Sequence, residues 1–480
     1  MKYFNHKITT ALTGVLLTSL VLSGCKKSYL DVSPTNAIQN TDAFNSPEKL
    51  KAAMTGLYDL NTNSGYTNNI LLSMDAKGED VLVNSVNNYS RFIAQYQYIE
   101  TVNSGDLSTH WSQSYKIIAN CNQLIENVPN APVTDAVKLQ YTAEARALRA
   151  YAHFTLVREF AKPYSADPNA LGVPVVLKSI GAKDVFPGRA PVKDVYAAII
   201  ADLLFADANF PATQTDYFRL TKNSIEGLLA RVYLNSGDYP NASKYAKLAR
   251  TGYALGSGAS LLAGFADKTS EWIWAINVRS DDNQGFLAVQ SFYDPYNKGY
   301  SSFRASQEFL NLFAATDVRR NQFKIPTVSG GDLTTGTIKL SGNGYLISKF
   351  LFRGAWDNNI VLMRSSEMVL IEAEAEARQG NNGPAQAALA LIQQRAVPGT
   401  PLSANTGAAL VSEILVERRK ELFGEGQRFY DIVRTGQGLD RSQSVSHWSK
   451  LVIPAGDKRF TLPIPQAEID ANPNVVQNPL

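Results

Sequence analysis

Apolar positions recur at helical spacing along most of this chain. They do so from Pro47 to Asn61 ("PEKLKAAMTGLYDLN"), Trp111 to Val128, Tyr141 to Phe160 ("YTAEARALRAYAHFTLVREF") and Val192 to Asn209. Each pattern leaves one apolar stripe and one polar face, which predicts an amphipathic helix. The stretch "KNSIEGLLARVYLNSGDYPNASKYAKLARTGY" carries two such stripes with Gly237 between them, and predicts a helix, a tight turn and a second helix. Leu410 to Arg434 predicts a charged amphipathic helix, a Gly-rich break and another short helix.

The helix–turn–helix spacing occurs twice without a gap. In "LIEAEAEARQGNNGPAQAALALIQQRA", Ala373, Gly380, Ala385 and Leu391 stand where Ala230, Gly237, Ala242 and Leu248 stand in the first copy. Small residues where paired helices cross, with Gly at the turn, fit a tetratricopeptide-like (TPR) unit. Between the copies the texture changes. Residues 253–360 are rich in Gly, Ser, Asn and aromatics, with short strand-like runs such as "EWIWAINV" and "IKLSGNGYLISKF". Residues 62–100 are a smaller stretch of the same kind. Long loops of this sort usually carry function. The fold class expected is therefore mainly α: a TPR-like helical repeat scaffold with a large loop-and-short-strand insertion. Scaffold helices are expected at about 41–61, 111–250 and 361–436, and a binding face at about 62–100 and 253–360.

Lys2 and Lys7 precede an apolar run from Ile8 to Leu22 and then Ser23-Gly24-Cys25, the layout of a secretory signal. Leu22-Ser23-Gly24-Cys25 resembles a bacterial lipobox, which implies cleavage before Cys25 and acyl chains on that residue. An ordinary signal peptide with a chance cysteine is a second reading. A disulfide to Cys121 is a third, although Cys121 lies in an apolar helical pattern and reads as a core thiol. The expected layout is a signal over 1–24, a lipidated tether over 25–40 and one body over 41–480. Past residue 24 no apolar run approaches the roughly 20 residues needed to span a bilayer.

Formal net charge is +3 over 480 residues, and near neutral once Lys2 and Lys7 are set aside. Such a chain offers no strong basic field, and no nucleic-acid partner is expected. Four His are scattered, and no HExxH, CxxC, GxSxG or GxxxxGK[ST] pattern occurs. The acidic run "SDDNQG" (280–285) lacks calcium-loop spacing and reads as a solvated turn. Glu372 and Glu376 share one helix face and Glu374 points elsewhere. "ERRKE" (417–421) reads as alternating charge, ion-paired within the scaffold. Neither catalytic residues, a metal site nor a cofactor beyond the lipid on Cys25 is expected.

Several motifs together resemble the SusD/RagB family of outer-membrane nutrient-binding lipoproteins. These are "AEARALRAYAHFTLVREF" (143–160) with "GVPVV" (172–176), "SIEGLLARVYLNSGDYPNA" (224–242), "MRSSEMVLIEAEAEARQG" (363–380), "ERRKELFGEGQRFYDIVRTG" (417–436) and the ending "LPIPQAEIDANPNVVQNPL" (462–480). The resemblance implies a non-enzymatic protein, lipid-anchored in the outer membrane and facing the cell surface. Such a protein captures oligosaccharides and passes them to a SusC-like TonB-dependent transporter; a RagB-type peptide binder is the alternative.

Sugars present C–H faces that flat aromatic rings cover, and hydroxyls that Asn, Asp, Gln and Arg pair with. Two stretches offer that mixture. "SFYDPYNKGYSSFR" (291–304) has Tyr293, Tyr296 and Tyr300 among Asp294, Asn297 and Arg304. "NSVNNYSRFIAQYQY" (84–98) has Tyr89, Arg91 and Tyr96. The resemblance adds the acidic segment before the second stretch, with Asp75, Glu79 and Asp80. Trp356 is a further candidate, for ligand or for transporter. Trp272 and Trp274 alternate with Ile273 and read as half core.

Overall fold

In the computed structural model, the described residues are 43–480 except 64, 86–87, 182, 297–298, 325–328, 333–336 and 340–343. Cys25, the signal and the tether lie outside them. The first scaffold helix, α1 (Pro47–Asp59), starts where the Ser46 hydroxyl accepts the Lys49 amide and Pro47 takes the first turn. Next come α2 (Thr67–Ala76), strand β1 (Val81–Val83) and the short α3 (Ile93–Gln97). The long α4 (Gly105–Asn127) and α5 (Asp135–Phe160) pack together, and α1 lies against α4. Helix α6 (Val192–Asn209) packs on α5 in turn.

The two TPR-like copies share the same turn geometry. Helices α7 (Lys222–Ser236) and α8 (Tyr239–Ala249) turn at Gly237, where φ is +80°. After the insertion, α11 (Ser365–Arg378) and α12 (Asn382–Ala396) turn at Gly380, where φ is +82°. Left-handed backbone favours glycine, because a Cβ there crowds the carbonyl. Ala230, Ala242, Ala373 and Ala385 are fully buried, so the paired helices approach closely. The last scaffold elements are α13 (Gly407–Leu422) and α14 (Arg428–Arg434).

The insertion supplies β2 (Trp272–Ile276), α9 (Val289–Tyr293), β3 (Phe303–Ala305), α10 (Gln307–Leu310), β4 (Phe323–Lys324), β5 (Ser329–Asp332), β6 (Thr337–Lys339), β7 (Tyr345–Ile347) and β8 (Ile360–Arg364). Strands β1, β3, β7 and β4 form an antiparallel sheet in that order, with Val83 opposite Phe303 and Arg304 opposite Leu346. β2 pairs with β8 and joins the helical core. Both of its tryptophans are wholly buried, with Trp274 edge-on to Tyr151, so they are full core rather than half.

The stretch 62–100 is less of a loop than its polar composition suggests. Residues 67–76 form a helix with seven buried positions, including Asn68, Ser73 and Asp75. Being covered on most sides, it shows no amphipathic stripe.

The charges of the scaffold are paired. Glu372 and Glu376 face α8, where Arg250 and Lys247 meet them at 2.8 and 2.6 Å; Glu374 turns away to Arg434 and Arg378. From "ERRKE", Arg418 binds Asp431 at 2.8 Å, Arg419 binds Asp80, and Glu421 sits among Arg364, Arg319 and Arg395. Arg364 also reaches Glu271 and Glu425, so one buried network joins β8 to the end of α13 and the Gly-rich break.

Candidate functional site: an aromatic arc

Four loop segments bring five aromatic rings into a chain of contacts on the insertion face. The Tyr89 ring meets Tyr300 edge-on at 6.1 Å. Tyr300 lies 5.8 Å from Phe286, and Phe286 lies 5.1 Å from Trp356. Trp356 stacks on Phe352 at 4.5 Å with 28° between the planes. Tyr89 is 84% and Phe286 53% exposed, and Tyr300, Phe352 and Trp356 are half-buried. Arg91 lies over the Tyr300 ring at 5.4 Å and its Nε donates to the Tyr300 hydroxyl at 3.1 Å.

The arc stands on a second, buried layer of rings. Phe292 packs against Tyr300 and Phe92, both at 5.0 Å, and against Phe303 at 5.7 Å. The loops are tied by side chains to backbone. Asp294 accepts the Tyr296 and Phe352 amides, both at 2.7 Å, and so fastens the 294–301 loop to the 351–357 loop. Asn88 accepts the Ser90 amide and donates to the Arg91 carbonyl, both at 3.0 Å. Gly299 lies so close to the Ser291 backbone that a Cβ would stand 2.6 Å from its carbonyl oxygen.

Five of the seven described non-glycine residues with left-handed backbone lie here: Tyr89, Ser90, Phe92, Ser301 and Trp356, with φ between 42° and 60°. Each such conformation costs on the order of 1 kcal/mol or more and persists only where the surroundings impose it. The fold thus spends stability to point Tyr89 and Trp356 outward.

Of the residues expected from sequence, Tyr89 and Tyr300 join the arc, as does Trp356. Tyr296 is 43% exposed on the Tyr300 loop. Tyr293, Asp75 and Asp80 lie elsewhere. All three are buried, and their polar atoms are used inside the protein. The Tyr293 hydroxyl donates to Asp75 at 3.0 Å, and Asp75 also accepts the Gly426 amide at 3.1 Å. Burial pushes the Asp75 carboxyl up to about 8. Asp80 accepts from Arg419 at 3.1 Å. Their polar groups are committed to these internal partners, and none of the three lines the arc. Arg304 is likewise buried within β3, and Asn297 lies outside the described residues. Phe286 and Phe352 were not expected. The signal for Phe286 was a lone Phe in a polar turn, "DDNQGF".

The arc offers flat apolar faces with a polar rim from Arg91, Ser90 and the Arg353–Asp357 pair. Among the described residues no group of His, Cys, Asp and Glu has metal-site geometry, and no helix is long and apolar enough to cross a membrane.

Comparison with known proteins agrees with this picture. A family described as starch-binding, associating with outer membrane, matches residues 28–234, and the SusD family matches residues 341–480. A SusD-like protein of Formosa agariphila is 25% identical, with 92% of this chain and 93% of that protein aligned. A SusD-like protein of Bacteroides ovatus is also 25% identical, over 87% of this chain and 81% of its own. The crystal structure of a SusD superfamily protein from Bacteroides thetaiotaomicron superimposes with a TM-score of 0.81 at 27% identity, covering 91% of this chain and 100% of that one. The chain belongs to the SusD/RagB family of outer-membrane-associated, carbohydrate-binding proteins. Members of that family are generally binding proteins without catalytic activity.

Proposed function

We propose that this protein captures oligosaccharides on the aromatic arc, leaves them chemically unchanged, and passes them to a SusC-like TonB-dependent transporter. A lipid on Cys25 holds it at the outer membrane, facing the cell surface. The observation that carries the reading is the arc itself: five rings from four loops, fixed before any ligand arrives by strained backbone and side-chain ties. Preorganised rings lose little freedom on binding, so more of the contact energy appears as affinity. Sugar C–H faces lie on the rings, and the rim groups pair with hydroxyls. A chain of rings covers successive sugar faces without burying a charge.

Native electrophoresis through gels containing starch, laminarin, xylan or other polysaccharides tests the reading. Retardation by at least one polysaccharide, with no shortening of its chains, is the expected result. Free migration in every gel, together with retention on immobilised peptides, would replace it with peptide uptake of the RagB type.

A further inference from the structure

The chain has five Trp. Trp111, Trp272 and Trp274 are buried. The two that reach solvent are Trp356, in the arc, and Trp448, which is 45% exposed. Trp448 belongs to none of the features described so far. It sits in the segment 441–448, which covers the outer edge of β1. Arg441 donates to the Ala76 carbonyl at 2.9 Å, His447 contacts the Glu79 carbonyl at 2.9 Å, and the Trp448 indole N–H donates to the Val83 carbonyl at 2.8 Å.

Capping an edge strand explains why a donor stands at 448. It does not explain an indole, because a smaller side chain could satisfy one carbonyl without leaving a large apolar face in water. The ring is also immobilised. Besides its N–H bond it packs on Tyr96 at 5.1 Å, and Tyr96 is itself fully buried. Tyr96 belongs to the same aromatic core as Phe92, Phe292 and Phe303, the layer beneath Tyr300. Val83, which holds the indole, lies directly across the strand pair from Phe303. Phe303 is three residues past Tyr300, a span of at most about 11 Å, and paired antiparallel strands lie about 5 Å apart. Ser85, exposed two residues beyond Val83, lies on the chain that runs from this strand to Tyr89. Trp448 and the arc are therefore fixed to one aromatic layer and open to solvent from it.

We propose that Trp448 is a second glycan contact, an outlying platform that engages oligosaccharides too long to be held by the arc alone. The inference rests on the arc being the primary glycan site. It makes the protein a reader of chain length: short oligosaccharides touch the arc only, and long ones gain the indole as well. Because the ring is already fixed by Val83 and Tyr96, using it costs little ordering.

Calorimetric titration with maltotriose, maltoheptaose, laminaritriose and laminariheptaose tests this. In the series that binds, Trp448→Ala is expected to leave triose affinity unchanged and to weaken the heptaose roughly tenfold, equivalent to about 1.4 kcal/mol. Trp356→Ala is expected to weaken both. A second measurement does not depend on removing the strand cap. In Trp356→Phe protein, Trp448 is the one Trp left at the surface, and acrylamide quenching of its fluorescence should fall on adding heptaose but not triose. Undiminished heptaose binding by Trp448→Ala, or equal loss for triose and heptaose, or quenching untouched by heptaose, overturns the length-reading role while leaving the arc in place. Failure of the wild-type protein to bind any of the four sugars overturns this inference together with glycan capture by the arc.

Discussion

The interior of the scaffold and the surface of the insertion both hold costly arrangements, but they resolve the cost in opposite ways. In the interior, Arg364, Arg319 and Arg395 share Glu421, Glu425, Glu271, Glu417 and Asp317, and the charged groups are met inside the protein. In the arc, five aromatic rings meet edge-on, tilted or stacked, with Tyr89 and Phe286 largely open to solvent. The first region spends its polar groups on holding the fold. The second spends backbone strain on surface left uncovered. Completed pairing marks structure here, and incomplete pairing under strain marks the site we propose binds glycan.

Four substitutions can break or sharpen that contrast. The largest effect on stability is expected from Arg364→Ala, which removes the guanidinium that Glu271, Glu421 and Glu425 share and leaves their buried charge under-compensated. Removing one member of a buried ion cluster costs about 3–5 kcal/mol, read as a fall in the midpoint of denaturant unfolding. Molecules that remain folded should keep their glycan affinity. Trp356→Ala is expected to do the reverse. It removes a ring that touches both Phe286 and Phe352, and should weaken glycan binding by about 2 kcal/mol, a thirtyfold loss by calorimetry. Stability should move by only about 1 kcal/mol, because the half-buried ring packs mainly on neighbouring rings of the arc, and alanine keeps the Cβ, so the left-handed backbone strain is unchanged.

The third test uses pH. The Asp75 carboxyl titrates at about 8 in the folded protein and near 4 in an unfolded chain. Between those values the folded state holds the extra proton, so stability falls as pH rises from about 4 to about 8 and then levels off. Asp75→Asn keeps the acceptor for Gly426 and removes the titration. Its stability relative to wild type should therefore climb across that window, by on the order of 1 kcal/mol per pH unit at most. A parallel pair of unfolding curves at pH 5 and pH 8 would remove Asp75 from the account. The smallest effect is expected from Gly237→Ala. Its Cβ meets only the Tyr239 hydroxyl, 4.0 Å away, so the cost is the left-handed backbone alone, about 1 kcal/mol by thermal denaturation.

These differences also explain what could be read from sequence. The repeat was legible because its constraints are local: Gly237 and Gly380 answer to backbone conformation, and Ala230, Ala242, Ala373 and Ala385 to close helix crossing. The split of Glu372 and Glu376 from Glu374 follows from helical period alone. Tyr89, Tyr300 and Trp356 were legible as aromatics among turn residues. Their assembly was not, since it depends on Asp294 reaching Phe352 and on a sheet that pairs β1 with β3. Tyr293 and Asp75 looked like surface groups because a five-residue helix and a helix covered on most sides carry no amphipathic stripe. Asp80 was hidden by Arg419, more than three hundred residues away in sequence.

The central claim is that the rings of the arc bind sugar while the buried ion network only holds the shape. Calorimetric titration of the wild-type protein and a Tyr300→Ala, Trp356→Ala double variant, using the oligosaccharide whose parent polysaccharide retards the wild type, tests it most directly. The account predicts saturable binding by the wild type and none by the double variant, with both folded and unfolding cooperatively at the assay temperature. Undiminished binding by a folded double variant would contradict it.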